Sequence, residues 1–257
     1  MGAAVERDAP ELFSLACELV GEDPFERAGD GTRFAQPAIY SASIAAWQSE
    51  RPEAEISVGH SLGELAALVA GGILASGDGL RIAVLRGELM QRAAEAAGEG
   101  GMLALLGDGA AAREVARLHD LTIANDNAPG QLVVSGPIDA IEAARREARQ
   151  EGLRAVRLPV AGAFHSPDME GAARELETAL ADMTFQPPTL TVLSCATATE
   201  FVDPRRELAA ALVRPVRWRD TMLELRRRGI EEFVELGPGS VLTGLVERNP
   251  APEAADV

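Results

Sequence analysis

The segment Gly59-His60-Ser61-Leu62-Gly63 constrains the fold of this chain more than any other part of it. A β-branched run, Ile56-Ser57-Val58, precedes the segment and an apolar run with helical spacing follows it, so we expect a strand, a sharp turn and a helix. Glycines on both sides of the serine indicate close approaches of the backbone. Such a turn exposes the serine hydroxyl above the end of a sheet. The pattern predicts that Ser61 is a nucleophile; the alternative is a glycine-rich turn in which Ser61 only caps the helix.

A serine hydroxyl is a weak nucleophile and needs a base, for which the chain offers three histidines. His60 is adjacent to Ser61, and neighbouring side chains on a turn diverge. His119 ends a predicted surface helix. His165 lies in a loop of small residues that follows a predicted strand from Arg154 to Pro159. By elimination and location we predict that His165 is the base.

Helical and strand-like segments alternate along the chain, which is typical of an α/β fold. Between Met102 and Pro159 the order is β-α-β-β-α-β, the split pattern of a ferredoxin-like unit. We therefore predict a hydrolase-like large subdomain with a parallel sheet, formed by residues 1–100 and 160–257, and an inserted ferredoxin-like small subdomain, residues 101–159. The pattern also predicts a helix from Ala38 to Gln48 that starts directly after Pro37, and strands from Thr189 to Ser194 and from Glu232 to Leu236.

Charge and composition exclude several classes of function. The chain has 24 basic residues, all of them arginine, and a formal net charge of −16. Without lysine it cannot form a Schiff base or hold pyridoxal phosphate in the usual way. Its acidity disfavours nucleic acid and anionic membranes as partners, and its longest apolar run, from Leu65 to Ala75, is too short to cross a bilayer. We expect a cytoplasmic protein.

Neither a disulfide framework nor a metal site is expected. The two cysteines, Cys17 and Cys195, form no CxxC pair and are interpreted as small buried side chains. The three histidines lie far apart in the chain, and no pattern of metal ligands connects them. The sequence therefore predicts a protein without a bound metal.

Seven short segments, spread over almost the whole chain, have the order and spacing of a single protein family. They are Gln36-Pro37-Ala38, Gly59-His60-Ser61-Leu62-Gly63-Glu64, Arg86-Gly87-Glu88-Leu89-Met90-Gln91, Asn127-Ala128-Pro129-Gly130-Gln131, Gly162-Ala163-Phe164-His165, Arg214-Pro215-Val216-Arg217-Trp218 and Glu235-Leu236-Gly237-Pro238-Gly239-Ser240-Val241-Leu242. In these segments the chain resembles the malonyl-CoA:acyl carrier protein transacylases and the related acyltransferase domains of polyketide synthases.

The resemblance implies a role for each residue of a site. Ser61 would be the acylated nucleophile, His165 its base, and the backbone N–H of Leu62 one donor to the oxyanion. Arg86 would hold the free carboxylate of the malonyl group, which suits a planar guanidinium that forms two parallel hydrogen bonds and keeps its charge. Phe164 would crowd an α-methyl branch and so favour malonyl over methylmalonyl units.

The resemblance also implies a cleft between the subdomains, lined by Asn127 and Gln131, although either residue could equally satisfy its own turn. A backbone carbonyl near Ala210-Ala211 would orient the histidine. The family begins with a strand and a Phe-Pro-Gly-Gln-Gly loop whose glutamine is a second oxyanion donor. Nothing similar stands before the first helix here. The resemblance therefore implies that this chain starts later than the family's sequences do and that its oxyanion site is incomplete.

Together these expectations describe an acyltransferase. It would move a malonyl group from malonyl-CoA to the phosphopantetheine thiol of an acyl carrier protein, in fatty-acid or polyketide biosynthesis. We expect a monomer that needs no cofactor beyond its two substrates. The alternatives are a serine esterase, which shares the GxSxG pattern, and an N-terminally truncated, catalytically weak acyltransferase-like domain that only binds.

Overall fold

The computed structural model describes residues 1–251, and these residues form the α/β fold that the sequence predicts. The α-helices of this part of the chain are α1 (Gly2–Asp8), α2 (Pro10–Val20), α3 (Thr32–Glu50), α4 (Gly63–Ala70), α5 (Ser76–Ala97), α6 (Gly109–Leu118), α7 (Ile138–Gln150), α8 (Glu170–Leu180), α9 (Pro204–Ala210), α10 (Trp218–Arg227) and α11 (Val241–Glu247). The strands are β1 (Ile56–Val58), β2 (Gly100–Leu106), β3 (Thr122–Ala128), β4 (Gln131–Pro137), β5 (Arg154–Arg157), β6 (Thr191–Ser194) and β7 (Thr199–Glu200).

The first sheet contains the parallel strand pair that carries the GxSxG turn. Strand β1 pairs in parallel with β6, with Ile56 opposite Thr191 and Val58 opposite Leu193. Strand β7 then pairs antiparallel with β6, which gives the order β1-β6-β7. Helices α2, α3, α4, α5 and α8 enclose the main hydrophobic core beside this sheet. Leu65 and Leu68 of α4 belong to this core, whereas Ile56 and Val58 of β1 pack against a separate buried cluster that includes Leu193. The two ends of the turn between β1 and α4 are therefore held by two different clusters.

The second sheet has the order β3-β4-β2-β5, and all its pairs are antiparallel. Helices α6 and α7 cover one face, where Leu103, Val134 and Ile141 are fully buried. In chain order these elements run β-α-β-β-α-β, as the sequence predicts. The division of the chain at residues 100 and 160 stays a prediction, and its last boundary, residue 257, lies outside the described residues.

A short backbone contact joins the second sheet to the segment before α10. Val216 donates its N–H to the carbonyl of Ala124 at 2.8 Å, and its own carbonyl accepts the N–H of Asp126 at 2.9 Å. Val216 thus forms a parallel bridge beside Asn125 of β3. The small sheet is therefore bonded directly to the chain segment that leads into α10.

Two predictions about elements are wrong. The segment from Glu232 to Leu236 is not a strand, because its N–H groups find no hydrogen-bond partner within residues 1–251. A short segment with apolar side chains forms a strand only if a neighbouring strand is there to pair with it. The second error concerns Pro37, which lies inside α3 rather than before it. Close packing of α3 against α5 outweighs the hydrogen bond lost at Pro37.

Among residues 1–251, no helix combines the length and the apolar character that crossing a bilayer requires.

Candidate active site

Ser61 lies at the tight turn between β1 and α4, in a backbone conformation that non-glycine residues rarely adopt. Its φ is 53°, in the left-handed region. A side chain at Gly59 would place its Cβ 1.9 Å from the carbonyl carbon of Gly63, so glycine is required at the first position. A Cβ at Gly63 itself would meet nothing within 4 Å. The interpretation that both glycines permit a close approach is therefore correct for Gly59 and wrong for Gly63.

The side chain of Ser61 contacts the histidine that the sequence predicts as its base. Oγ of Ser61 lies 2.8 Å from Nε2 of His165, although the two residues are 104 positions apart. Nδ1 of His165 lies 2.9 Å from the carbonyl oxygen of Ala211 and 3.0 Å from that of Arg214. Carbonyl oxygens only accept hydrogen bonds, so Nδ1 carries the proton and Nε2 is free to accept the serine proton.

The surroundings of His165 keep its ring neutral. Burial, and then the positive charge of Arg86, lower the pKa of His165 to about 4. Hydrogen bonds to the two backbone carbonyls oppose this shift but do not outweigh it. At neutral pH the imidazole is therefore uncharged, as a proton acceptor must be.

Arg86 extends from α5 to the same serine. Its Nη2 donates to Oγ of Ser61 at 3.0 Å, and its Nη1 donates to Oε1 of Gln36 at 2.6 Å. Only 5% of Arg86 is exposed. Burial lowers the pKa of Arg86 to about 10, so its guanidinium is charged at neutral pH. No carboxylate oxygen of residues 1–251 lies within 4.0 Å of its nitrogens.

A buried charge without an ionic partner is rare, because desolvation of the charged group must be compensated. Within residues 1–251, Arg86 uses two of its five N–H groups in its bonds to Ser61 and Gln36, which leaves three. One of them is on Nη2, the nitrogen that also donates to Oγ of Ser61. The arrangement suits a ligand that carries a carboxylate close to the atom that Ser61 attacks.

A donor for a developing negative charge lies next to the nucleophile. Leu62 is the residue before the first turn of α4, and within the described residues its N–H has no hydrogen-bond partner. Its backbone follows that of Ser61 directly, at the positive end of the helix dipole. The geometry therefore suits the predicted oxyanion contact of Leu62.

Phe164, predicted to limit the size of the acyl group, is half-buried directly before His165. Its ring packs against the main core and also against a second cluster that includes Met102 and Val133 of the small sheet. The structure thus places Phe164 where the large and small parts of the fold meet. Its effect on an α-methyl branch stays a prediction.

Asn127 and Gln131, the predicted cleft residues, have different neighbours. The Asn127 side chain is buried, and its Oδ1 lies 2.9 Å from Nε2 of His60, the residue before Ser61. Gln131 begins β4 and accepts a hydrogen bond from Arg248. No hydrogen bond among the described residues connects it to the candidate catalytic side chains. The structure therefore brings Asn127, but not Gln131, to the nucleophile turn.

A group of buried polar residues behind the turn is not identified from the sequence. Oε1 of Glu64 accepts hydrogen bonds from Oγ of Ser194 at 2.9 Å and from the backbone N–H of Cys195 at 2.8 Å. Sγ of Cys195 accepts the backbone N–H of Ser61 at 3.3 Å. These bonds connect β6 to Ser61 and support its unfavourable φ. The one signal in the sequence is an acid, Glu64, in an otherwise apolar helix.

Burial raises the pKa of Glu64, and its hydrogen bonds with Ser194 and Cys195 partly oppose that shift. Glu64 raises the pKa of Arg86 through its charge, but its carboxylate is held by Ser194 and Cys195. Cys195 is buried, as predicted, and burial raises the pKa of its thiol. The thiol is therefore a hydrogen-bond acceptor for the serine turn and a poor nucleophile.

The part of the chain that the structure describes holds no group of three or more histidine, cysteine or acidic side chains arranged for a metal ion. That the protein needs no metal or cofactor stays a prediction from the sequence.

Known proteins are similar to this chain in both sequence and fold. Residues 16–256 match the family model of the acyl transferase domain. The polyketide biosynthesis protein ThaF of Burkholderia thailandensis is 40% identical over 96% of this chain, which spans 23% of ThaF. The polyketide biosynthesis malonyl CoA-acyl carrier protein transacylase PksC of Bacillus subtilis is 35% identical over 96% of this chain and 91% of its own length.

A solved structure is similar over nearly the whole length. It is that of a malonyl-transacylase in complex with its type II polyketide synthase acyl-carrier protein, with a TM-score of 0.84 and 32% identity over 96% of this chain and 85% of that one. The similarity confirms the α/β fold class and the resemblance that the seven segments indicate. The chain therefore belongs to the acyl transferase domain family.

Proposed function

We propose that this protein transfers a malonyl group from malonyl-CoA to the phosphopantetheine thiol of an acyl carrier protein, through an ester on Ser61. One observation carries the proposal: the buried guanidinium of Arg86, with no carboxylate partner in the described chain, donates to the same Oγ that contacts His165. A dicarboxylic thioester supplies the missing anion and the carbonyl carbon together. Relatives that are named malonyl transacylases support this substrate.

In the first half-reaction, Nε2 of His165 takes the proton of Ser61 while Oγ attacks the thioester carbonyl. The carbonyl oxygen becomes negative, and the N–H of Leu62 stabilises it. The carbon–sulfur bond then breaks, and the CoA sulfur leaves with the proton from His165. The product is a malonyl ester on Ser61, with its carboxylate paired with Arg86.

The second half-reaction runs the same steps in reverse order with a new thiol. His165 takes the proton of the phosphopantetheine thiol, and the thiolate attacks the ester carbonyl. The bond to Oγ breaks, Ser61 recovers its proton from His165, and the malonyl group leaves as a carrier thioester. One proton and one acyl group are exchanged in each half, so the enzyme returns to its starting state.

Replacing Arg86 with alanine tests the proposed substrate. We expect the second-order rate constant for malonyl-CoA to fall by about 100-fold or more, because a bidentate charged contact is lost. The rate constant for acetyl-CoA should change much less, so the preference for malonyl groups should shrink. Single-turnover measurements with both thioesters, read by intact-protein mass, provide the test. Arg81→Ala, an exposed position on the same helix, is the control. An unchanged preference in Arg86→Ala contradicts the proposal.

The pKa of His165 gives a second expected result. An ordinary histidine base, with a pKa near 6.5, loses roughly 30-fold in rate between pH 8 and pH 5. A histidine with a pKa lowered to about 4 stays deprotonated throughout that range. We therefore expect kcat/KM for acylation by malonyl-CoA to be flat from pH 8 to about pH 5 and to fall only below it. Circular dichroism at each pH controls for unfolding, and an inflection near pH 6.5 contradicts the expectation.

The family match favours acyl transfer over a serine esterase and over a domain that only binds. Two relatives are named for polyketide biosynthesis, and we propose that this protein acts in fatty-acid or polyketide biosynthesis. We further propose that the protein acts as a cytoplasmic monomer without metal or organic cofactor, and that Phe164, Asn127 and Gln131 line the path of the substrate. Size-exclusion chromatography with light scattering tests the monomer.

A further inference from the structure

We propose that Gln36 is a positioning residue that sets the preference for a carboxylated acyl group: its neutral amide holds the guanidinium of Arg86 beside Ser61 without cancelling the charge. The inference rests on the proposed function, because it explains how Arg86 is kept available for a malonyl carboxylate. Gln36 is 4% exposed and contacts Arg86 from α3, the helix packed against α5.

The amide of Gln36 is fixed in one orientation. Its Oε1 accepts from Arg86, which can only donate, at 2.6 Å. Its Nε2 donates to Oγ1 of Thr32 at 2.8 Å and contacts Sδ of Met90 at 3.3 Å. Turning the amide over would point an N–H at the guanidinium and a carbonyl oxygen at the thioether sulfur of Met90, so the contacts with Arg86 and Met90 would both be lost. Gln36 therefore holds one Arg86 nitrogen at a defined place.

Close approach of α3 and α5 makes this contact possible. A Cβ at Gly87, the residue after Arg86, would lie 2.9 Å from the carbonyl oxygen of Thr32 and 3.0 Å from Cα of Arg33. Any larger residue would push the helices apart at the level of the Gln36 contact. The sequence element Arg86-Gly87 thus supplies both the guanidinium and the space that brings Gln36 to it.

The charge of the partner matters as much as its position. A buried arginine is ordinarily neutralised by a carboxylate, and glutamate would fit the space of Gln36 almost atom for atom. A glutamate there would satisfy Arg86 within the protein and compete with the carboxylate of the substrate. With an amide, the guanidinium is positioned by Gln36 and Ser61 and keeps its full positive charge. The carboxylate of the acyl group then completes the ion pair.

The test compares Gln36→Glu with Gln36→Met, which keeps the volume but removes the acceptor. Single-turnover acylation of Ser61 is measured with malonyl-CoA and with acetyl-CoA. In Gln36→Glu we expect kcat/KM for malonyl-CoA to fall by about 100-fold and that for acetyl-CoA to change little. In Gln36→Met we expect a loss of about 10-fold for malonyl-CoA, mainly through KM, because Arg86 keeps its charge but loses its anchor.

Gln48→Glu is the matched control, since it adds the same charge to the same helix, twelve residues further along. It should behave as the wild type. A purely structural role of Gln36 would lower the rates with both thioesters equally, in either variant, and this result overturns the inference. So does an unaltered ratio of malonyl to acetyl transfer in folded Gln36→Glu.

The wild type separates this inference from the function on which it rests. If the wild type forms no malonyl ester, the proposed function and the role of Gln36 both fail. If the wild type is malonylated and the variants keep its preference, only the role of Gln36 fails. Should Gln36→Glu not fold, Gln36→Met decides through the split between KM and kcat.

Discussion

Replacing Ser61 with alanine is expected to lower malonyl transfer to a carrier thiol by at least about 10⁴-fold and to leave no acyl adduct on the protein. Oγ of Ser61 is the atom that both His165 and Arg86 contact, so the variant removes the nucleophile and leaves its partners in place. The neighbouring thiol of Cys195 cannot substitute for it, because burial raises its pKa and its Sγ accepts from the Ser61 backbone.

The measurement is intact-protein mass after exposure to malonyl-CoA, followed by peptide mapping of the adduct. Ser49→Ala, an exposed serine on α3, is the control and should be acylated like the wild type. The mapped peptide should contain Ser61. An adduct on another residue, or one of undiminished yield in Ser61→Ala, would show that the nucleophile lies elsewhere.

Replacing His165 with alanine is expected to slow acylation by about 10³-fold, the usual contribution of a positioned general base. Two side chains, those of His165 and Arg86, contact Oγ of Ser61 in the wild type. The variant keeps only Arg86, and a guanidinium cannot accept a proton. The hydroxyl then has to lose its proton to water. Binding of malonyl-CoA should persist, because Arg86 and the N–H of Leu62 are unchanged.

Added imidazole distinguishes loss of the base from loss of the fold. The alanine variant has space for a free imidazole where the ring was, so we expect imidazole to restore part of the acylation rate in His165→Ala. His119→Ala, at the end of α6, is the control for removal of a histidine. If His165→Ala retains the full rate in a single turnover, another group takes the serine proton.

The sequence predicts the parts of this site that depend on local pattern and on the resemblance. A strand, a glycine and a helix start around Ser61 define the turn, and the small number of histidines identifies His165. The structure brings Ser61 and His165 within hydrogen-bond distance of each other. The carbonyl expected near Ala210-Ala211 is that of Ala211, and the carbonyl of Arg214 is a second acceptor for the histidine. These features are specified by residues close together in sequence or by shared motifs.

The features that the sequence does not predict depend on contacts between distant elements. The segment from Glu232 to Leu236 has the side chains of a strand, but among residues 1–251 no strand pairs with it. Gln36 belongs to a recognisable motif, yet its role follows only from the packing of α3 on α5. Glu64 is an anomaly in the sequence, and its function is visible only once Ser194 and Cys195 are folded against it.

The bridge formed by Val216 links the imidazole mechanically to the small sheet. Val216 is bonded on both sides to β3, and Arg214, two residues earlier, accepts from Nδ1 of His165. A displacement of the sheet edge by about 1 Å, passed along this short stretch of backbone, would stretch that bond and turn the ring away from the hydroxyl. Proton transfer at the serine is thereby sensitive to strain at the β3 edge of the small sheet.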